Sequence, residues 1–490
     1  MSTRTSSSRQ SSLDISAAEL GELSARVNEL VLEYFSEIAE RPVFPNTSGG
    51  ATTAQIGSTL PTTGEPLEKL INDCRTIIEN SRQNGHPRFF GYIASPSTPA
   101  GAFADLIASA LNANVTSWRS GPSATEVERT VVRWLGAMIG YDQNAHGLLA
   151  SGGSMANMTA LLMAQRAKAN TNTARQGLWN TGAPMTLYAS EQVHMSLPKA
   201  ADMLGFGRDQ LRLIECDNEF RLNPRSLRER INADIAAGLK PFCVIGSAGT
   251  TNTGAVDPLS DIATVAKEFS LWFHIDGAYG APAALDESKR SLFKGLKQAD
   301  SVSLDPHKWL YAPLDCGCLL FREASKAQLA FGNEDADYIK VLEQNDDESF
   351  AFWNYGPELS RRFRALKLWL TLRYYGVNRI AAAITEDNGL AGYLAELVEA
   401  AQDFELLSRP QLSICCFRYL PAKMKAATDA EIDEFNERVM FAVQRGGRAY
   451  ISSATIKDKF ALRVCITNFR TTRADIEQTL EIIRQCGLRM

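Results

Sequence analysis

Short apolar runs alternate with longer amphipathic stretches between residues 91 and 375, and this alternation constrains the fold more than any other feature of the chain. The runs at 185–188, 211–214, 242–247, 271–275, 301–304 and 317–321 have the length and composition of strands. The stretches at 156–168, 224–237 and 259–268 carry helical apolar spacing. A strand covered on both faces reads as an unbroken apolar run, and crossover helices supply the cover. The segment therefore predicts an α/β layer structure around a mainly parallel sheet.

The flanks obey different rules. Residues 17–39 place Leu20, Leu23, Val27, Leu30, Val31 and Tyr34 on one helical face, and Arg41-Pro-Val-Phe-Pro45 ends that helix. A Gly/Thr/Pro-rich linker over 46–66 and a second helix over 67–80 come next. This opening has no strand of its own, so an arm that packs on something else is expected. After residue 380 the pattern becomes helix 382–401, strand 413–419, helix 429–445, strand 460–467 and helix 473–486. The resulting division is a disordered tail (1–16), a helical arm (17–90), a large domain (91–380) and a small α+β domain (381–490).

Composition excludes several classes. A net charge of −5 with scattered basic residues offers no footprint for nucleic acid. No apolar run is long enough to span a bilayer, and the Ser/Thr/Arg-rich start lacks the apolar core of a secretory signal. The nine cysteines form no CxxC pair and read as reduced thiols of a cytoplasmic protein. With five histidines and no HExxH, no metal site is expected.

Chemistry concentrates at strand ends. In Asp305-Pro-His-Lys-Trp309 a Pro-fixed turn presents His307 and Lys308 where a strand stops, the edge that ligands of α/β sheets favour. A lone lysine there is by default a solvated surface group; the alternative is a Schiff-base amine, which needs a desolvated site near an aldehyde. His274-Ile-Asp-Gly-Ala-Tyr279 delivers a second charge, Asp276, from another buried strand. A buried carboxylate needs a partner, and a protonated pyridine nitrogen is one. Ser151-Gly-Gly-Ser-Met155 precedes a helix and reads either as a phosphate cup, with Gly153 allowing close approach, or as a plain helix cap at Ser154. His194 and the hydroxyl-rich Gly249-Thr-Thr251 also lie just past strands.

These segments resemble the group II pyridoxal-5′-phosphate (PLP) dependent amino-acid decarboxylases of fold type I, and most of all the aromatic-L-amino-acid decarboxylases. Besides the stretches above, the resemblance rests on Arg41-Pro-Val-Phe-Pro45, His86-Pro-Arg-Phe-Phe-Gly-Tyr92, Trp118 with Ala124-Thr-Glu-Val-Glu128, and the run from Ser360 to Trp369, in consistent order. It implies an aspartate-aminotransferase-like large domain, bound PLP and a homodimer with shared active sites. Lys308 then holds the cofactor covalently and Asp276 pairs with the pyridine nitrogen. His194 stacks on one ring face and Ala278 packs on the other. Ser154 and Met155 (through its backbone) sit where the family holds the phosphate, Gly153 and His307 also contact the cofactor, and Thr251 lies near the cofactor and the reacting carboxylate. Asp305 stands where animal members carry asparagine; an acid beside a phosphate repels it, so contact with backbone or with His307 is expected instead.

For the substrate, the resemblance implies Tyr92, Ser95 and Trp118, with Asn114 and Thr116 lining the partner's site where animal enzymes carry apolar residues. Ser360 falls where plant relatives carry serine in phenolic-type enzymes and glycine in indolic ones, a lean toward phenolic side chains. Tyr338, on an acidic loop spanning 328–352, matches the acid that protonates Cα after CO₂ leaves. The rival readings are an oxidative aldehyde synthase, a decarboxylase of an acidic amino acid with Arg119 as its cation, and a catalytically dead PLP-fold binding protein. Known synthases replace the loop tyrosine or the stacking histidine, and both Tyr338 and His194 are present.

Overall fold

A computed structural model describes residues 13–57, 59–169, 171–332 and 348–490. The tail before Leu13 and the loop tyrosine Tyr338 lie outside the described residues. Seven strands form the main sheet: β1 (His146–Ala150), β2 (Met185–Ser190), β3 (Leu211–Ile214), β4 (Lys240–Ser247), β5 (Trp272–Asp276), β6 (Ser301–Leu304) and β7 (Gly317–Phe321). Their order is β1-β7-β6-β5-β4-β2-β3. The pairs from β6 through β5, β4 and β2 to β3 are parallel, whereas β7 runs antiparallel to both β1 and β6. Two reversals at β7 leave β1 pointing the same way as β6. The carboxyl ends of β1, β2, β4, β5 and β6 therefore all open on one edge of the sheet.

The strands at 211–214, 301–304 and 317–321 match the sequence reading end for end, while β1 is an addition. Its run, His146 to Ala150, is short and merges into the Gly-rich turn, so pairing with β7 rather than local pattern makes it a strand. β2, β5, β6 and β7 are buried along their whole length, which accounts for their unbroken apolar composition.

Three helices make the arm: α1 (Ala17–Glu37), α2 (Gly49–Ile56) and α3 (Leu67–Glu79). Ser16 and Glu19 close a capping box at the start of α1. The linker expected over 46–66 is in part the helix α2, capped by Ser48, whose hydroxyl accepts from Ala51 N. Its glycines and threonines are weak helix formers, and that hid it. Two further helices, α4 (Pro99–Leu111) and α5 (Pro122–Met138), each begin with proline in the first turn.

A second sheet is antiparallel, with order β10-β11-β9-β8, from β8 (Phe404–Ser408), β9 (Ile414–Tyr419), β10 (Ser452–Ile456) and β11 (Lys459–Cys465). It has its own apolar cluster, including Phe417, Val439, Leu462 and Ile483. The sequence reading found only its two central strands, β9 and β11; the edge strand β10 is half exposed and β8 is only partly buried, so both lack the continuous apolar run. Among the described residues no helix is long and apolar enough to cross a membrane.

Candidate active site

The shared strand edge explains why distant residues meet. The turn after β1 brings Gly152 and Gly153, the turn after β2 brings His194, that after β4 brings Thr251, β5 ends on Asp276, and β6 leads into the single helical turn Pro306–Trp309 that carries Lys308. All of them line one cavity of about 330 Å³, together with Ser154, Met155, Ala278, Asp305 and His307.

At one end lies the start of helix α6 (Gly153–Lys168), which no side chain caps. The Met155 N–H closes the first turn on Gly152 O (3.0 Å), so Gly153 and Ser154 supply the amides without an intrahelical acceptor. A Cβ on Gly153 would meet the Ala278 Cβ at 2.8 Å and Asp305 Oδ2 at 3.0 Å, so only glycine lets this mouth close on the cavity. His307 is fixed from both sides: its backbone N–H donates to Cys316 O, and its Nδ1 accepts from Cys316 N (3.1 Å each).

Asp305 has the expected contact with His307 and a nearer one beside it. Its Oδ2 lies 3.0 Å from Lys308 Nζ and 3.7 Å from His307 Nε2, so its main partner is the lysine three residues on, brought round by the helical turn. Asp305 Oδ1 is buried and has no hydrogen-bond partner among the described residues.

At the other end Asp276 is nearly buried (8% exposed) and accepts from Asn157 Nδ2 (3.0 Å), Ala278 N (3.1 Å) and Ser303 Oγ (3.3 Å). Three donors thus fix the orientation of this carboxylate. Burial pushes His194 below the usual histidine range, against the pull of the Asp276 charge, and it pushes His307 the same way. Both rings are thus neutral near pH 7.

A lysine amine, a braced carboxylate, a flat neutral imidazole and a helix mouth on one cavity fit a phosphorylated pyridine aldehyde. Residues 50–420 match the family model described as the pyridoxal-dependent decarboxylase conserved domain. The chain belongs to this family. Among relatives of this decarboxylase, an aromatic-L-amino-acid decarboxylase of Bacillus atrophaeus is 36% identical over 477 residues, 96% of each chain. A 4-hydroxyphenylacetaldehyde synthase of Rhodiola rosea is 30% identical over 471 residues, 95% of this chain and 94% of its own. Oryza sativa TDC, solved with PLP and tryptamine, superposes with a TM-score of 0.90 at 28% identity, covering 98% of this chain and 99% of that one.

The remaining residues named for the decarboxylase from its sequence fall in two groups. Tyr92 and Ser95 stand near the cavity: Tyr92 lines an adjoining one, and Ser95 Oγ donates to His307 O (3.1 Å). Asn114, Thr116, Trp118 and Ser360 line neither cavity. Asn114 Oδ1 instead accepts from Arg361 N (2.8 Å), and residues 116–118 pair with 350–352. Of the acidic loop expected over 328–352, residues 328–331 belong to helix Ala324–Phe331 and residues 350–352 to this pairing, while 333–347 lie outside the described residues.

Sequence reasoning missed Asn157, Ser196 and Arg463. Arg463 is 2% exposed, donates from Nε to Thr251 O (2.9 Å) and from Nη1 to Tyr92 O (2.8 Å), and so holds Tyr92 in a left-handed conformation (φ 58°). The available signal was a polar side chain inside an apolar run: Arg463 between Leu462 and Val464, and Asn157 between Ala156 and Met158.

Proposed function

We propose that the protein converts an aromatic L-amino acid to its amine and CO₂, as a cytoplasmic homodimer with shared active sites. The observation that carries the substrate class is the adjoining cavity of about 460 Å³, which shares His194, Thr251 and Lys308 with the cofactor side and is walled by Tyr92, Met440, Phe441 and Tyr450. Aromatic and thioether walls suit a flat apolar side chain. Arg463 enters the same wall with a buried Nη2 that has no hydrogen-bond partner among the described residues, a donor for the carboxylate of an entering amino acid.

Bound PLP supplies an electron-withdrawing ring that accepts the electron pair released with CO₂. The chain's own groups do the rest. Lys308 would provide the amine that holds the cofactor, Asp276 would pair with its ring nitrogen, and His194 and Ala278 would pack on the ring. The Gly153 and Ser154 amides with His307 would hold the phosphate, and Thr251 would face the substrate carboxylate. Tyr338 delivers the proton to Cα.

The dimer reading is supported by exposed apolar side chains on two helices, Leu20, Leu23 and Leu32 on α1 and Leu106, Ile107 and Leu111 on α4. It assigns Asn114, Thr116, Trp118 and Ser360 of each subunit to the other's substrate site. All nine cysteines are unpaired, in keeping with a reducing compartment.

The test is CO₂ release from tyrosine, DOPA, phenylalanine, tryptophan and glutamate, with product analysis. Aromatic substrates should lead; faster release from glutamate overturns the reading. The serine at position 360 leans toward phenolic side chains, and a higher kcat/KM for tryptophan than for tyrosine and DOPA overturns that lean. Amine is expected without peroxide, whereas Tyr338→Phe should divert product to aldehyde, ammonia and peroxide in aerated buffer.

A further inference from the structure

Behind the cavity, one buried amide touches three chemically different groups. Asn157, 1% exposed on α6, directs Nδ2 to Asp276 Oδ2 (3.0 Å) and to Ser196 Oγ (3.1 Å), and its Oδ1 faces His274 Nε2 (3.0 Å). An ionised carboxylate can only accept, so the side of the amide that faces Asp276 must be its NH₂. The oxygen then faces His274, which must carry its proton on Nε2.

The rest of the network keeps the same donor sense. His274 Nδ1 is left as an acceptor and takes the hydroxyl proton of Ser301 (2.9 Å), while Ser301 Oγ accepts from the indole N–H of Trp272 (2.9 Å), a group that can only donate. On the other branch Ser196 Oγ accepts from Asn157 and gives its own proton to His194 Nδ1 (2.9 Å). His194 Nδ1 also accepts from the Ser196 N–H (3.2 Å), so the neutral ring carries its proton on Nε2. Every link is a donor meeting an acceptor, from Trp272 through Ser301, His274 and Asn157 to Asp276 and, through Ser196, to His194.

We propose that Asn157 is a positioning residue that couples the two cofactor-facing side chains, fixing the orientation of the Asp276 carboxylate and, through Ser196, holding His194 as its Nε2–H tautomer. This rests on the reading of Asp276 and His194 as the groups that face the pyridine ring. A single amide with both hydrogens committed can serve them together; an aliphatic side chain of similar size serves neither.

Two measurements test it. The first is ¹⁵N NMR of the wild-type apoenzyme labelled at its five histidines. His274 and His194 should both be neutral with Nδ1 as acceptor. A proton on His274 Nδ1 would mean that the amide is reversed, and the proposal falls. The second compares affinity for PLP with affinity for its analogue carrying carbon in place of the ring nitrogen, in wild type, Asn157→Leu and Asp276→Asn. Loss of one hydrogen bond to a charged group corresponds to roughly 10-fold or more. Asn157→Leu should therefore weaken PLP by about that factor and leave the analogue unchanged. Equal loss of both ligands marks a packing defect and overturns the proposal. If Asp276→Asn spares the preference for PLP, the reading of Asp276 itself fails; if it abolishes the preference and Asn157→Leu does not, only the coupling fails. Should the leucine variant not fold, Asn157→Asp, which sets a second carboxylate against Asp276, must reduce the same preference.

Discussion

Arg361→Met should destabilise the protein by about 4 kcal/mol, the middle of the range for breaking a buried ion pair from one side. The structure shows why the cost is high. Arg361 and Glu128 are 2% and 0% exposed and bonded to each other. The guanidinium also donates to Val115 O (2.7 Å) and Leu149 O (2.8 Å), and it lies 4.1 Å from the centre of the Phe352 ring. Glu128 Oε1 in turn accepts from Leu149 N (2.8 Å). The pair thus supplies a donor and an acceptor to the outer edge of β1, which no strand among the described residues covers, and Arg361 ties Asn114 and Val115 to that edge. Methionine keeps the apolar stem but leaves a carboxylate and two carbonyls unpaired; their separate costs share partners and do not add. Replacing Glu128 as well (Arg361→Met/Glu128→Gln) removes the stranded charge and should recover at least a third of the loss. Urea unfolding of the apoenzyme, comparing midpoints at constant slope, measures both variants. A single-variant cost below about 1 kcal/mol, or a double variant no better than the single, would refute the argument.

The site and its support set further outcomes. Borohydride reduction of the holoenzyme and peptide mapping should label Lys308, and label on another lysine removes it from the role. Asp387, buried behind the lysine turn, accepts from Trp309 Nε1 and Tyr311 Oη (2.8 Å each), yet burial pushes its carboxyl up to about 7. The folded protein then holds a proton that the unfolded chain loses near pH 4, so this contribution to stability falls as pH rises from about 4 to 7 and is flat above. Its full span is on the order of 4 kcal/mol. In Asp387→Asn that slope should vanish, and a stability difference from wild type that stays constant across this window would show that Asp387 is ionised throughout.

The lysine turn, the acidic strand end and the Gly-rich helix start were legible because each is a local pattern: a strand must stop, and the residues just past its end are presented at the sheet edge. Helices 259–268 and 429–445 matched to the residue for the same reason, since their apolar spacing is contained within them. The helix over 49–56 escaped because its threonines and glycines argue against it, and its cap at Ser48 outweighs them.

By itself, then, the sequence determined the layer architecture, the strand ends that carry Lys308, Asp276 and His194, and membership of the decarboxylase family, all of which depend on short-range order along the chain. Only the tertiary structure decided that β7 reverses twice so that β1 joins the same edge, that Asp305 pairs with Lys308, and that Asn157 stands between Asp276, His274 and Ser196. Those relations join residues far apart in the chain. A hydrogen bond is set by distance and donor sense at a buried point, and neither leaves a period or a spacing in the sequence.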